Sequence, residues 1–170
     1  MIPAIAFIGR HDSGKTALIA RLIPVLSAHG LRVGTVKHAP HLEMLDTPGS
    51  DSAVHFQTGA SRVLLRGGHT SALFWRHGDD ALRDQIDRLF ADFDLVLIEG
   101  GKTEDCPKVE VFRRSADLPQ EPLAGTVDVV AVITDDRIAL PDGVAVISAR
   151  NVEKIADLVE AVAFDAPSRG

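Results

Sequence analysis

Hydrophobic positions in this chain fall in short blocks separated by polar and glycine-containing stretches, and the blocks alternate between two spacings. Ile5-Ala6-Phe7-Ile8 and Leu95-Val96-Leu97-Ile98 are continuous apolar runs, the pattern of strands covered on both faces of a parallel sheet. Ala17 to Ile23, residues 79–92 with Leu82, Ile86, Leu89 and Phe90, and Asn151 to Ala163 instead space their apolar residues three and four apart, as amphipathic helices do. The first of these predicts a helix from Lys15 to about Ala28, stopped by His29-Gly30. Strands are predicted at 31–37, 93–99, 127–133 and 143–147, and 108–113 reads as an edge strand. Arg62–Arg66 and Ser71–Trp75, joined by Gly67-Gly68-His69-Thr70, have the spacing of a hairpin, although two separate parallel strands also fit. Asp51 to Ala60 predicts a short helix with Asp51 or Ser50 as N-cap, ending at Gly59. Residues 38–52 form a long loop with five possible ligands (His38, His41, Glu43, Asp46, Asp51), and 118–125 a proline-rich connector. The alternation of strand and helix predicts an α/β fold with a mainly parallel central sheet and an added hairpin around 62–75. No repeat or linker divides the chain, so 1–164 reads as one domain and 165–170 as a frayed tail.

Composition narrows this picture. A chain of 170 residues can bury about 68–70% of its unfolded surface without a disulfide staple. The single Cys106 has no intrachain partner, no basic leader with an apolar core opens the chain, and no apolar run approaches the ~20 residues of a membrane span. A soluble cytoplasmic protein is the expectation. A net charge of −6 argues against holding a nucleic-acid backbone by bulk charge, and seven Phe, one Trp and no Tyr provide no base-stacking platform.

The strongest chemistry follows the first apolar run. Gly9-Arg10-His11-Asp12-Ser13-Gly14-Lys15-Thr16 reads G-x-x-x-x-G-K-T between a predicted strand and a predicted helix, the phosphate-binding loop of P-loop NTPases. Backbone N–H groups of such a loop, here through Ala17, cradle phosphate oxygens, Lys15 neutralises the β/γ-phosphates and Thr16 offers a hydroxyl to Mg²⁺. A three-layer P-loop fold follows, and its nucleotide site should lie at the carboxyl ends of the parallel strands. Lys37-His38, Glu99-Gly100-Gly101, Thr134-Asp135-Asp136 and Ser148-Ala149-Arg150 all stand there. Glu99 is assigned to the metal or its water, because Asp94 begins the same strand and lies roughly 16 Å from its far end at about 3.3 Å per residue. Asp51 and Asp46 are further metal candidates, and Lys37 a second phosphate lysine. Asp135, with Thr134, can accept from both N1–H and N2–H₂ of guanine, whereas adenine offers no such pair; Ser148 and Ala149 would buttress the base through backbone N–H. GTP with Mg²⁺ is therefore the expected ligand. Asp12 must point outward or meet a cation, since a carboxylate repels polyphosphate. Acidic neighbours should raise the Cys106 thiol, and the histidines carry no tight zinc spacing.

In order and spacing, the P-loop, V-G-T-V-K-H at 33–38, D-T-P-G-S-D-S at 46–52, T-G-A at 58–60, D-L-V-L-I-E-G-G-K at 94–102 and P-K-V-E-V-F-R at 107–113 resemble the molybdopterin-guanine dinucleotide biosynthesis protein B (MobB) family. The resemblance implies a dimeric GTP-binding protein of the signal-recognition and MinD-like class with weak GTP hydrolysis. It would assist a MobA-type guanylyltransferase that attaches GMP to molybdopterin, and molybdopterin itself is a further possible ligand. It also carries phosphate and magnesium roles onto Gly14, Lys15 and Thr16 and acidic roles onto Asp51 and Glu99. The chain departs from the family pattern at His11, Asp12 and Ala17, at Ser50 where a lysine is usual, and at Gly101 where an aromatic is usual. Lys37, Ser50-Asp51 and Glu99-Gly100-Gly101 are also similar to dethiobiotin synthetase, an ATP-dependent ligase. A nucleotide-gated scaffold without catalysis is a third reading.

Overall fold

Β-strand and helix alternate along the chain much as the hydrophobic spacing predicts. The structure, a computed structural model, describes residues 1–42, 46–114 and 121–164. In order, its elements are β1 (Ala4–Ile8), α1 (Lys15–Ala28), β2 (Val33–Lys37), α2 (Asp51–Gln57), β3 (Arg62–Arg66), β4 (Ser71–Trp75), α3 (Leu82–Leu89), β5 (Leu95–Glu99), β6 (Lys108–Val111), a 3₁₀ turn at Leu123–Gly125, β7 (Ala131–Ile133), β8 (Ala145–Ile147) and α4 (Val152–Phe164). They form two compact units, Met1–His38 with the chain from Leu82 onward, and Ala39–Ala81. The tail expected at 165–170 lies outside the described residues, as does part of the proline-rich connector.

The first unit is a three-layer α/β sandwich. Its six strands are parallel, in the order β2-β5-β1-β6-β7-β8. Alternate residues feed two cores. Ile5, Phe7, Leu95, Leu97, Val109, Val111, Ile133 and Ile147 pack against Leu18, Ile19, Leu22 and Leu26 of α1 and Ile155, Ala156 and Val159 of α4. Ala4, Ala6, Ile8, Val96, Ile98 and Val132 face the other way, onto Ile86 of α3, Ala124 of the 3₁₀ turn and Val129 just before β7. Both faces of β1 and β5 are thus covered, which is why their sequences are apolar without alternation.

The later strands differ from the sequence reading in place and extent. β6 is no edge strand: it lies between β1 and β7, and the edges are β2 and β8. Glu110 in this strand is only 1% exposed. Its carboxylate accepts from the backbone N–H of Leu123 at 2.7 Å and of Ala124 at 2.9 Å, capping the 3₁₀ turn. β7 begins at Ala131 rather than Val127, because the Val127 N–H is drawn back to the Leu123 carbonyl at 2.8 Å. β8 likewise starts two residues late, after a turn in which the Val144 N–H reaches the Pro141 carbonyl.

The second unit joins α2 to a hairpin. β3 and β4 are antiparallel, from Arg62 opposite Trp75 to Arg66 opposite Ser71, so the parallel alternative is excluded. Ser50 is the N-cap of α2, its Oγ accepting from Ala53 N–H at 3.2 Å. Arg76 ties the hairpin to α2 by donating to the Phe56 carbonyl at 2.8 Å, with its guanidinium 4.2 Å from the centre of the Phe56 ring.

Candidate functional site

The loop between β1 and α1 is shaped by two glycines that no other residue replaces without strain. Gly9 has φ 150°, and a Cβ there would stand 2.3 Å from the Val111 carbonyl oxygen and 2.8 Å from Ser13 Oγ. Gly14, at φ 95°, is the N-cap of α1 and brings no capping side chain, so side chains leave the first-turn N–H groups uncapped. Lys15 folds into the loop: its Nζ donates to the carbonyls of Arg10 at 2.7 Å and Gly9 at 3.1 Å and lies 3.3 Å from Ser13 Oγ. Burial lowers the Lys15 pKa, against the opposing fields of Glu99 and Asp12. Asp12 takes φ 56° and turns its side chain to solvent, 3.6 Å from an equally exposed His11.

Beside the loop, three polar side chains converge. The Thr16 hydroxyl donates to Glu99 Oε1 at 2.7 Å, and Lys37 Nζ lies 3.6 Å from the same oxygen. Sheet register explains the meeting: Phe7, Glu99 and Lys37 are level on adjacent parallel strands, so Glu99 and Lys37 end at the edge from which the loop departs. Just beyond, Gly100 turns the chain at φ 94° where a Cβ would come within 2.9 Å of the His38 carbonyl. A cavity of about 200 Å³ opens here, with Thr16, Lys37 and Glu99 at its polar side and Ile19, Ile23, Val36 and Leu97 at its apolar side. Thr16 and Glu99 are hard oxygen donors within 2.7 Å of each other, a set that suits Mg²⁺, which takes one or two protein oxygens and keeps its waters. Asp94 sits at the start of its strand, its carboxylate accepting from Arg32 N–H at 2.7 Å.

A second constellation follows β7 and β8. The buried Thr134 donates its N–H to the Ile147 carbonyl at 2.9 Å, which places Asp135 beside Ser148. Ser148 Oγ donates to Asp135 Oδ1, Arg150 Nε lies 3.3 Å from Oδ2, and Arg150 N–H returns to Ser148 Oγ at 3.2 Å. From α1, Arg21 donates to the carbonyls of Ala149 at 3.0 Å and Arg150 at 3.4 Å. The sequence reading assigned no role to Arg21 or to Arg150. Arg21 lies on the polar side of an amphipathic helix, and nothing local marks its partner 128 residues away.

The acids of the 38–52 stretch belong to the second unit. Asp46 is committed to its own turn, accepting from Ser52 Oγ at 2.6 Å, Thr47 N–H at 2.7 Å and Ser50 Oγ at 3.1 Å. Those bonds, Ser52 foremost, hold its carboxyl below the usual range. Asp51 is the exposed first residue of α2. Glu43 lies outside the described residues, and His41, His55, His69 and His77 are all exposed. The Cys106 thiol is pushed up, but chiefly by burial; Glu104 adds to the shift and Lys108 opposes it. Among the described residues, no three His, Cys, Asp or Glu side chains converge as a metal cage.

The family described as molybdopterin guanine dinucleotide synthesis protein B matches residues 4–135, well over half of the chain. The molybdopterin-guanine dinucleotide biosynthesis adapter protein of Escherichia coli is 34% identical over 166 residues, covering 94% of this chain and 92% of that one. Its namesake in Haemophilus influenzae is 36% identical over 122 residues, covering 69% of this chain and 67% of its own. In three dimensions, the crystal structure of Bacillus subtilis MobB superposes with a TM-score of 0.73 at 26% identity, over 97% of this chain and all of that one.

Proposed function

The chain belongs to the molybdopterin guanine dinucleotide synthesis protein B (MobB) family, and on that premise we propose that it is a Mg²⁺-dependent GTP-binding adapter of molybdopterin guanine dinucleotide biosynthesis. The observation that carries this reading is the meeting of Thr16, Glu99 and Lys37 beside a glycine-shaped loop that already encloses the Lys15 ammonium. In this reading Gly9, Arg10, His11, Asp12, Ser13, Gly14 and Ala17 supply the backbone around the phosphates, and Lys15 and Lys37 supply positive charge. Thr16 and Glu99 hold the magnesium. The metal, when bound, neutralises charge that develops on the β- and γ-phosphate oxygens. Glu99 also orients water for a slow hydrolysis, a rate set by positioning and charge alone. Thr134 and Asp135 read the base, and Ser148 and Ala149 support it. As an adapter, the protein works as a cytoplasmic homodimer beside a MobA-type guanylyltransferase, within reach of molybdopterin.

Competition between GTP and ATP for the protein in Mg²⁺ tests the assignment. GTP should be preferred by at least tenfold, about 1.4 kcal/mol. A tenfold preference for ATP would overturn guanine reading by Asp135 and favour a ligase of the dethiobiotin synthetase kind.

A further inference from the structure

We infer that Arg21 is a positioning residue for nucleobase recognition: it fastens the loop carrying Ser148 and Arg150 to the helix that begins in the phosphate loop, and so sets the pose of the Asp135 carboxylate. The inference rests on Asp135 as the base reader and deepens that reading. A carboxylate has about four lone-pair sites, two on each oxygen. Here Ser148 Oγ uses one on Oδ1, and Arg150 Nε stands 3.3 Å from Oδ2 as an ion pair. At least one site remains on each oxygen, as guanine needs for N1–H and N2–H₂, and the Asp135 side chain is 41% exposed, open to such a ligand. Hypoxanthine, which keeps N1–H but lacks the 2-amino group, would use only one.

The loop's own bonds shape the turn, and Arg21 ties that turn to α1. Ser148 and Arg150 are neighbours on a four-residue turn into α4, in which the Asn151 N–H meets the Ser148 carbonyl at 3.0 Å. The turn's two intervening carbonyls, of Ala149 and Arg150, are the ones that the Arg21 guanidinium holds, at 3.0 and 3.4 Å. Arg21 stands five residues beyond Thr16 on the same helix, a rise of about 7.5 Å. One rigid element therefore links the phosphate end of the site to the base end. Releasing the turn lets Ser148 and Arg150 drift from Asp135 and blurs the two-donor geometry, while the phosphate loop keeps its own bonds.

The experiment compares Mg²⁺-GTP, Mg²⁺-ITP and Mg²⁺-tripolyphosphate binding in the unaltered protein and in Arg21→Ala, Arg21→Lys and Asp135→Ala. The unaltered protein should prefer GTP over ITP by about tenfold, the effect of one donor to an ionised acceptor. Arg21→Ala should cut that ratio by about threefold or more with tripolyphosphate affinity unchanged within about twofold, and Arg21→Lys, whose ammonium can still reach one carbonyl, should restore part of it. A GTP/ITP ratio unmoved by Arg21→Ala while Asp135→Ala abolishes it overturns the role of Arg21 and leaves the base reader standing. So does a parallel loss of all three ligands at constant ratio, which marks Arg21 as mere helix support. A ratio unmoved by Asp135→Ala removes the base reader itself, and the inference with it.

Discussion

At position 12 the backbone turns left-handed, φ 56°, and an aspartate rather than a glycine occupies the turn. Asp and Asn tolerate this region better than other side chains because a short polar group can satisfy the local backbone. The conformation therefore holds, but a negative charge is left on the loop proposed to hold phosphate, close enough that Lys15 feels it. Asp12→Asn keeps the turn and removes the charge. It should tighten Mg²⁺-GTP binding by about two- to fivefold at low salt, with the gain fading as ionic strength rises through the Debye regime; isothermal titration at two salt concentrations checks it. Asp12→Ala removes the same charge but should also cost about 1 kcal/mol of stability, because alanine gains nothing from the left-handed turn. Glu99 makes the complementary case. Glu99→Gln keeps the hydrogen bond from Thr16 but loses the ionised oxygen. The Mg²⁺ concentration that half-saturates nucleotide binding should rise by about tenfold, the usual scale for losing one supporting ligand. Nucleotide affinity measured without metal should not fall.

Between elements, the contacts that matter join parts of the chain far apart in sequence. His29, at the C-terminal end of α1, places Nδ1 2.6 Å from Glu160 and Nε2 3.8 Å from Glu153 of α4. The Glu160 hydrogen bond raises the imidazole pKa, with the charges of Glu160, Glu153 and Asp157 adding to it and desolvation opposing. A raised folded-state pKa means that the contribution is fully present below the unfolded value of about 6.5 and is lost as pH rises through the folded one. Denaturant midpoints should therefore fall as pH rises above about 6.5, and His29→Gln should flatten that dependence. Glu110 is the second such contact. Glu110→Ala leaves a buried and a half-buried N–H group unpaired and should destabilise the protein by about 3 kcal/mol, read from the urea midpoint. These pairs also show where the sequence stops being readable. The loop between β1 and α1 was legible because strand, glycines, lysine and helix are consecutive, and the elements were legible because period follows from local burial. The strand at 108–113 read as an edge strand because nothing in its sequence shows that β7 lies beside it or that Glu110 caps a 3₁₀ turn. Arg21 was silent for the same reason: a helix periodicity marks its side as polar, and only the sheet order brings β8 and its turn alongside. Asp46, a metal candidate by sequence, accepts from Ser52, Thr47 and Ser50 of its own turn, contacts that the sequence pattern does not show.

For the molecule as a whole, the proposed ligand should register as stability. Anything that binds only the folded state stabilises it by RT ln(1 + [L]/Kd), about 2.7 kcal/mol at one hundred times Kd. For a chain of this size 1 kcal/mol moves the thermal midpoint by about 2–4 °C, so saturating Mg²⁺-GTP should raise it by about 5–10 °C. The two compact units make the choice of probe matter. Helices α1, α3 and α4 all belong to the first unit and dominate far-UV circular dichroism, whereas the single tryptophan, Trp75, lies in β4 of the second. The dichroism midpoint should therefore rise with Mg²⁺-GTP. Tryptophan fluorescence, read in the same samples, follows the hairpin unit: an equal rise means that the two units unfold as one cooperative body, and an unchanged fluorescence midpoint means that they unfold separately. Lys15→Ala supplies the control. It removes the ammonium that the loop encloses but neither a core side chain nor a strand bond, so the unliganded midpoint should stay within a few degrees. The GTP-dependent rise should vanish, and a rise that survives in Lys15→Ala would place the nucleotide somewhere other than residues 9–16.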